Sequence, residues 1–202
     1  MRKLIVKTAL ISFVSAVGAI LLFIGFCALF LPAFTSNVLW NMGMYSSSAN
    51  FAKKAYEDSG ENARLIALVE RSIVAGNDSI TIEYGRIFIE SDFFLDYAKT
   101  AQSEQYSGNY AGYIVGNIAV SQYDLGKKDD ALQTVKNHLT SYTEYNAVQY
   151  LMRVVFMAED KEFAGKIQGY LNGLSLEGEE AQILAKDVAL LDNFINYNTV
   201  NG

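Results

Sequence analysis

An uncharged stretch of 27 residues, from Thr8 to Phe34, constrains this chain more than any other feature of its sequence. As a helix it would exceed the roughly 30 Å hydrocarbon core of a bilayer, because each helical residue rises about 1.5 Å. Three basic residues precede it: Arg2, Lys3 and Lys7. The next charged residue is Lys53. Since cytoplasmic flanks are enriched in Lys and Arg, the sequence predicts a transmembrane helix in the cell membrane, with the N-terminus in the cytoplasm and the C-terminal part outside.

A cleaved signal peptide is the alternative interpretation of this stretch. Signal peptides have an apolar core of roughly 7–15 residues followed by small residues at the cleavage site. The apolar core here is about twice that length, and Leu31 is bulky where cleavage after Ala33 needs a small residue. An uncleaved anchor is favoured, which divides the chain into a cytoplasmic N-terminus (1–7), a transmembrane helix (8–34) and an outer domain (35–202). Cleavage would instead release a secreted helical domain.

The composition of the outer part indicates one acidic domain without disulfides. All 22 acidic residues but only 13 of the 16 basic residues follow the apolar stretch, which leaves about nine net negative charges. Such a charge disfavours nucleic acid or anionic lipid as a partner for the broad surface. Cys27 is the only cysteine and lies within the apolar stretch, so an intramolecular disulfide is excluded.

Apolar residues in the outer part recur mostly at helical spacing, between short turns rich in Gly, Asn, Asp and Ser. Pro32 and the polar residues Thr35, Ser36 and Asn37 after it suggest that the first helix ends at the proline and that a new helix is capped by these side chains. Residues 79–90 are ambiguous, because part of the segment alternates as a strand does, but the helical context favours a helix. The predicted fold class is all-α, with the transmembrane helix followed by a stack of antiparallel helical hairpins, an α-solenoid.

The clearest internal signal is a period of 33 residues. It is carried by three alanines, each with an acidic residue two positions earlier: Ala98, Ala131 and Ala164. A period of this size is typical of stacked two-helix repeats. The middle copy, YDLGKKDDALQTV from Tyr123 to Val135, resembles the tetratricopeptide (TPR) repeat around its inter-helix turn. The resemblance implies that Leu125 and Gly126 close the first helix and that Ala131 lies where two antiparallel helices approach closely.

The other two copies depart from this pattern. Where the middle copy has Gly126, the third has Glu159 and the first has Phe93, and all three lack the family's early tryptophan and its proline after the second helix. The resemblance covers about residues 83–174. It implies a TPR-like solenoid whose partners are proteins or peptides, and an irregular stack of helical hairpins is the alternative.

The segment before Tyr123 carries small residues at helical spacing: Gly108, Gly112, Gly116 and Ala119. Each glycine inside a helix costs about 1 kcal/mol relative to alanine, so we expect close packing against another helix to offset that cost. The alternative is a groove into which a peptide can approach. Four longer residues beside the glycines are candidates for its binding surface, with core and rim packing as their other role: Tyr110, Tyr113, Asn117 and Gln122.

The chain closes with an amphipathic helix that begins near Glu177. Its apolar residues recur at spacings of three and four, with two more widening the stripe: Ala181, Leu184, Val188, Leu191 and Ile195, then Leu190 and Phe194. Lys186, Asp187 and Asp192 are expected on the opposite, solvent-facing side. We expect this helix to cap the open end of the stack, and pairing with a second copy into a homo-oligomer is the alternative.

Known catalytic patterns are missing from the sequence. His138 is the only histidine, expected to flank the end of its helix, and no zinc-protease, Cys-pair, nucleophile-elbow or phosphate-loop motif occurs. A carboxylate pair is compatible with the composition, but the acids fall mostly at helix starts and solvent-facing positions. We therefore expect no enzyme, no cofactor and no metal. The expected function is a membrane-anchored, TPR-like protein-binding or scaffold module. The alternative is a structural subunit that contacts its partners through the transmembrane helix.

Overall fold

The computed structural model describes residues 2–101, 109–138 and 146–197. Within these ranges every regular element is an α-helix, which confirms the predicted all-helical class. The helices belong to two compact units, residues 1–75 and 76–202. The division falls inside the range 35–202, which was expected from the sequence to form one outer domain.

The first unit contains four helices: α1 (Arg2–Phe30), α2 (Pro32–Asn41), α3 (Tyr45–Ser59) and α4 (Asn62–Val74). Pro32 takes the first position of α2, where its missing N–H is not needed and its fixed φ suits a helix. The expectation that Thr35, Ser36 and Asn37 cap a new helix is therefore wrong, because all three lie inside α2. The N-cap position belongs to Leu31.

Within the first unit, α3 packs against both α2 and α4. Two fully buried serines lie at the contact between α2 and α3. The hydroxyl of Ser36 donates to the carbonyl oxygen of Ser48 at 2.6 Å, and the hydroxyl of Ser48 donates to that of Ser36 at 2.8 Å. Arg71 of α4 donates to the Ser36 hydroxyl and to the side chain of Asn37, and its guanidinium lies 5.6 Å from the centre of the Trp40 ring. Together these bonds hold the three helices in one register.

The second unit contains seven helices within the described residues: α5 (Asp78–Ile89), α6 (Phe94–Thr100), α7 (Tyr110–Asp124), α8 (Lys128–His138), α9 (Asn146–Met157), α10 (Lys161–Leu171) and α11 (Gly178–Asn196). The helix predicted over the ambiguous residues 79–90 is confirmed by α5. His138 is the last residue of α8, as predicted, and its Nδ1 lies 2.9 Å from the carbonyl oxygen of Thr134.

Two turns of the second unit, 33 residues apart, have the same backbone. Gly126 after α7 and Glu159 after α9 both adopt left-handed conformations, with φ of 75° and 53°. In each turn the next amide donates to the carbonyl oxygen five residues back, at 2.8 Å after Gly126 and 3.1 Å after Glu159, as in a Schellman motif. Phe93, the equivalent residue of the first copy, has a right-handed φ of −90°. The turn is therefore shared by two of the three copies.

In the second unit α7 is the central helix, because it packs against α5, α8 and α9. Two glycines lie at its closest approaches to the neighbouring helices. A Cβ atom on Gly85 of α5 would lie 2.8 Å from Cδ1 of Ile118, and one on Gly116 of α7 would lie 2.7 Å from Cδ2 of Tyr150 in α9. Since real Cβ contacts are longer than 3.0 Å, these crossings leave no room for a side chain. Further along, α10 packs against both α9 and α11.

Candidate functional site

Tyr110, the first of the four groove candidates, lies in the core at the start of α7. Its side chain is only 1% exposed. Its ring meets the ring of Tyr97 edge-on at 5.3 Å and that of Phe88 at 6.4 Å. These contacts join α5, α6 and α7, so the position corresponds to the packing role that was kept open for this residue.

Tyr113 and Asn117 lie one turn apart on α7 and are both partly exposed. The ring of Tyr113 meets the ring of Tyr150 edge-on, with 6.0 Å between the centroids. The side-chain amide of Asn117 donates to the carbonyl oxygen of Tyr113 at 2.8 Å. Burial raises the pKa of Tyr150, so this ring pair is neutral at physiological pH. The two residues form an accessible edge beside α9, and their role in binding stays a prediction.

Gln122, the fourth candidate, lies on a separate feature at the other end of α7. Its side chain is 3% exposed, and its Oε1 atom is buried and accepts no hydrogen bond from the residues that the structure describes. It lines a cavity of about 160 Å³ between α5, α7 and α8. The other lining residues are almost all polar: Arg86, Ile89, Glu90, Asp130, Gln133, Thr134, Asn137 and His138. We call this feature the polar cavity.

The charges around the polar cavity are mixed. Arg86 and Glu90 are one helical turn apart on α5, with 3.7 Å between a guanidinium nitrogen and a carboxylate oxygen, and both are largely exposed. Asp130 adds a carboxylate in the first turn of α8, and His138 stands at the end of the same helix. Buried acceptors are costly without a donor, so the arrangement favours an occupant that brings an N–H or O–H group to Gln122.

The size of the polar cavity limits what it can hold. Sites for drug-sized ligands and cofactors usually measure roughly 300–1,000 Å³. At about 160 Å³, this one accommodates a side chain or a small polar molecule. Sequence reasoning singled out Gln122 but missed the residues that α5 and α8 bring beside it, because the pairing of helices is set by tertiary packing.

The small residues expected at repeat contacts are almost all buried. Ala119, Ala131 and Ala164 are fully buried, and Ala98 is half-buried. Gly112 lies in the first turn of α7, where its amide donates to the side chain of Asn109 at 2.6 Å. Gly108 lies outside the described residues. Gly85 was missed, although it carries the same signal as Gly116, a glycine in the interior of a helix.

Asp160 is a second polar centre that sequence reasoning did not find. Its carboxylate caps α10 by accepting from the amide of Phe163 at 3.1 Å, and it also accepts from the Tyr123 hydroxyl at 2.9 Å and the Lys128 ammonium at 2.5 Å. Burial alone would raise the pKa of Asp160, but these donors and the positive charge of Lys128 lower it overall. Burial, followed by the bond to Asp160, raises the pKa of Tyr123 to about 12. The cluster fastens α7 and α8 to the start of α10.

Two expectations for the C-terminal helix are wrong. Asp187, placed on the solvent side from the sequence, is 7% exposed and accepts a hydrogen bond from the side-chain amide of Gln149 in α9 at 2.8 Å. Leu190, placed in the apolar stripe, is 53% exposed. A buried polar pair was invisible to an argument from periodicity, since the partner belongs to another helix. The rest of the stripe packs as expected, and the rings of Phe194 and Phe156 lie 4.7 Å apart.

Helix α1 is the remaining candidate functional element. Its stretch Leu10–Cys27 is long and apolar enough to cross a membrane, by length and composition. Most of its described side chains are exposed, with Leu22 at 77%. Continuous apolar surface of this extent marks a contact with lipid or with another apolar surface.

A search of protein-family models, curated proteins and solved structures finds no match for this chain. Among the described residues, no three His, Cys, Asp or Glu side chains are grouped so that they could hold a metal ion. The expectation that the chain is not an enzyme stays a prediction. Function must therefore be argued from the polar cavity, the helix contacts and α1.

Proposed function

We propose that the chain is a membrane-anchored binding or scaffold module, in which a TPR-like stack of helical hairpins outside the cell membrane holds a protein or peptide partner. The observation that carries the proposal is the repeated contact of alternate helices: α7 packs against α5 on one side and α9 on the other. In a stack of two-helix repeats, the first helices of successive repeats meet in this way.

Three details support the stacked arrangement. Gly85 and Gly116 lie at successive contacts of these first helices. The second helices α8 and α10 each carry a fully buried alanine at the same place in the 33-residue period, Ala131 and Ala164. The turn before each of these helices has the same left-handed residue. A shared turn and a shared packing position are what a repeat of this period requires.

The anchor is supported by the exposed apolar surface of α1. In water this surface would be unfavourable, because apolar area gains roughly 25 cal/mol per Å² when it is removed from water. The basic residues all precede the apolar stretch at this end of the chain, which favours a cytoplasmic N-terminus. The helical stack then lies on the outer side.

The polar cavity supports the binding role. It presents a buried acceptor without an internal donor, surrounded by amide and charged groups, and its volume suits a side chain of a partner. A peptide group or an amide side chain of the partner supplies the N–H that Gln122 lacks. The exposed edge formed by Tyr113 and Asn117 is the second contact region proposed for the same partner.

A structural subunit is the alternative, and the observation that favours it is also α1. If its exposed side chains contact another transmembrane helix, the specific contacts lie in the membrane and the stack acts as a spacer. A helical domain secreted after cleavage is a further alternative, which the length of α1 disfavours because it exceeds a signal-peptide core.

Site-specific photo-crosslinking of the full chain in intact membranes tests the proposal. A photoreactive amino acid replaces Gln133 at the polar cavity, Tyr113 at the exposed edge, or Phe23 in α1. We expect protein adducts from Gln133 or Tyr113, and we expect Gln122→Leu to remove the adducts formed at Gln133, since leucine cannot accept a hydrogen bond.

Adducts formed from Phe23 alone would support the structural subunit instead. Gln168, which lies on α10 away from the polar cavity, is the matched control position for the photoreactive group. If adducts at Gln133 persist unchanged in the Gln122→Leu protein, the polar cavity does not recognise the partner.

A further inference from the structure

Helix α2 carries a stripe of apolar side chains that nothing in the first unit covers. Phe34, Val38 and Met42 are spaced by four residues, and they are 52%, 39% and 66% exposed. Residues four apart lie on the same face of a helix, so the three side chains form one continuous stripe. The opposite side of α2 is occupied, because Ser36 is fully buried against α3.

The end of α1 shows where the bilayer boundary lies. From Leu10 to Phe30 the helix is about 31 Å long, which matches the roughly 30 Å hydrocarbon core. The ammonium group of Lys54 in α3 lies 3.2 Å from the carbonyl oxygen of Leu29. A lysine ammonium is strongly hydrated and belongs at or outside the lipid headgroups. The helix therefore leaves the hydrocarbon near Leu29, and α2 begins within the interfacial layer.

We propose that α2 lies in the plane of the outer membrane interface, with Phe34, Val38 and Met42 inserted among the lipids. The inference rests on the proposed anchoring by α1. Lipid is the occupant because the stripe begins only four residues after α1 ends at Phe30 and because no charged residue occurs between Lys7 and Lys53. An uncharged helix with an exposed apolar stripe can lie 5–10 Å deep in the interface without desolvating a charge.

An in-plane orientation is distinguished from an upright one by distance. If α2 continued along the bilayer normal, Met42 would lie about 12 Å further from the hydrocarbon than Phe34, because eight residues separate them. Met42 and Val38 would then face water or headgroups. In the plane of the interface, all three side chains reach the same depth.

Asn37 and Asn41 flank the stripe on the exposed surface of α2. Asn37 accepts a hydrogen bond from Arg71 of α4. A helix with its apolar stripe in lipid directs such flanking amides toward the headgroup layer, where water and phosphate satisfy them. The bonds between Ser36 and Ser48 fix α3 to the upper side of α2, so the first unit is held against the membrane surface.

Depth-dependent quenching of tryptophan fluorescence tests the inference. Trp40 is the only tryptophan, so Trp40→Phe gives a background into which a single probe can be placed. Three full-length proteins carry Phe34→Trp, Met42→Trp or, as the control within α1, Phe23→Trp. Each is reconstituted into phosphatidylcholine vesicles whose lipids are brominated near the headgroup or deep in the acyl chain, and aqueous iodide is the opposing quencher. Circular dichroism checks that each protein is helical.

We expect equal quenching of the Phe34→Trp and Met42→Trp probes by the shallow bromines, with little quenching by iodide, and quenching of the Phe23→Trp probe by the deep bromines. Iodide quenching of the Met42→Trp probe alone would show that α2 is upright and would overturn the inference while the anchor stands. If neither quencher reaches either α2 probe, the stripe is covered by protein, which also overturns it. If bromolipids fail to quench the Phe23→Trp probe, the anchor itself is wrong, and the inference falls with it.

Discussion

Gly116→Ala tests the close contact between α7 and α9 on which the stacked arrangement depends. The added Cβ would lie 2.7 Å from Cδ2 and 2.9 Å from Cβ and Cγ of Tyr150. Two of these atoms are at or next to the backbone of α9, so a rotation of the ring alone does not relieve the clash. Overpacking of this kind costs about 1–3 kcal/mol, and alanine returns about 0.5–1 kcal/mol through its higher helix propensity. The expected net change is a destabilisation of up to about 2 kcal/mol.

Gly165→Ala is the matched control, because Gly165 also lies inside a helix but a Cβ there would meet nothing within 4 Å. Only the helix-propensity gain applies, so we expect a stabilisation of about 0.5–1 kcal/mol. Thermal melts of the two full-length variants in the same detergent, followed by circular dichroism, should shift in opposite directions by about 2–4 °C per kcal/mol. A stabilisation by Gly116→Ala equal to that of Gly165→Ala would refute the close contact.

Three further predictions follow from the turns and contacts of the second unit. Glu159→Gly should stabilise the chain by about 1 kcal/mol, because glycine relieves the left-handed backbone, and Gly126→Ala should destabilise it by a similar amount; urea titrations of both variants measure the difference. Ala131→Leu should cost about 1–3 kcal/mol by overpacking, whereas Asp129→Asn in the same exposed first turn should change stability by less than about 0.5 kcal/mol, so an equally stable leucine variant would contradict the register. The lowered pKa of Asp160 contributes stability that is present above its unfolded value of 3.8 and is lost as the pH falls through the lower folded value, so Asp160→Asn should flatten the acid limb of a pH–stability profile.

Periodicity predicted the helical elements well where one face of a helix is buried. The helix over residues 79–90 was obtained in spite of a strand-like start, because Tyr84 and Phe88 lie four residues apart and are both buried. The proline at position 32 was misread in its consequence. A proline that stops one helix also suits the first turn of the next, so a single residue break separates α1 from α2.

The 33-residue period predicted more than the TPR consensus did. Glu159 departs from the consensus glycine, yet it adopts the left-handed conformation that the period assigns to it. The hydrogen bonds of a turn can hold a residue in a conformation that costs roughly 1–2 kcal/mol. The consensus reports the residue that suits a turn best, whereas the spacing reports where the turn must fall.

The candidate site was predictable only in part, because its residues come from helices that are distant in sequence. Gln122 was chosen for its place beside a glycine-rich helix face, but its cavity is formed with Arg86 and His138, which no local pattern connects. Asp187 was placed in solvent for the same reason, since the partner that buries it, Gln149, lies 38 residues away. Patterns along one helix predict which face is buried, and they do not predict which polar groups meet across two helices.

Cysteine accessibility in intact cells tests most directly whether α1 anchors a helical stack on the outer side of the membrane. Cys27→Ser removes the only cysteine, and Met157→Cys, at a side chain that is 77% exposed, provides one site in the second unit. Lys3→Cys in the same background provides the matched cytoplasmic site. A membrane-impermeant maleimide should label the Met157→Cys protein in cells whose cytoplasm is sealed, and it should label the Lys3→Cys protein only after lysis. Labelling of the Met157→Cys protein only after lysis would contradict the proposed topology.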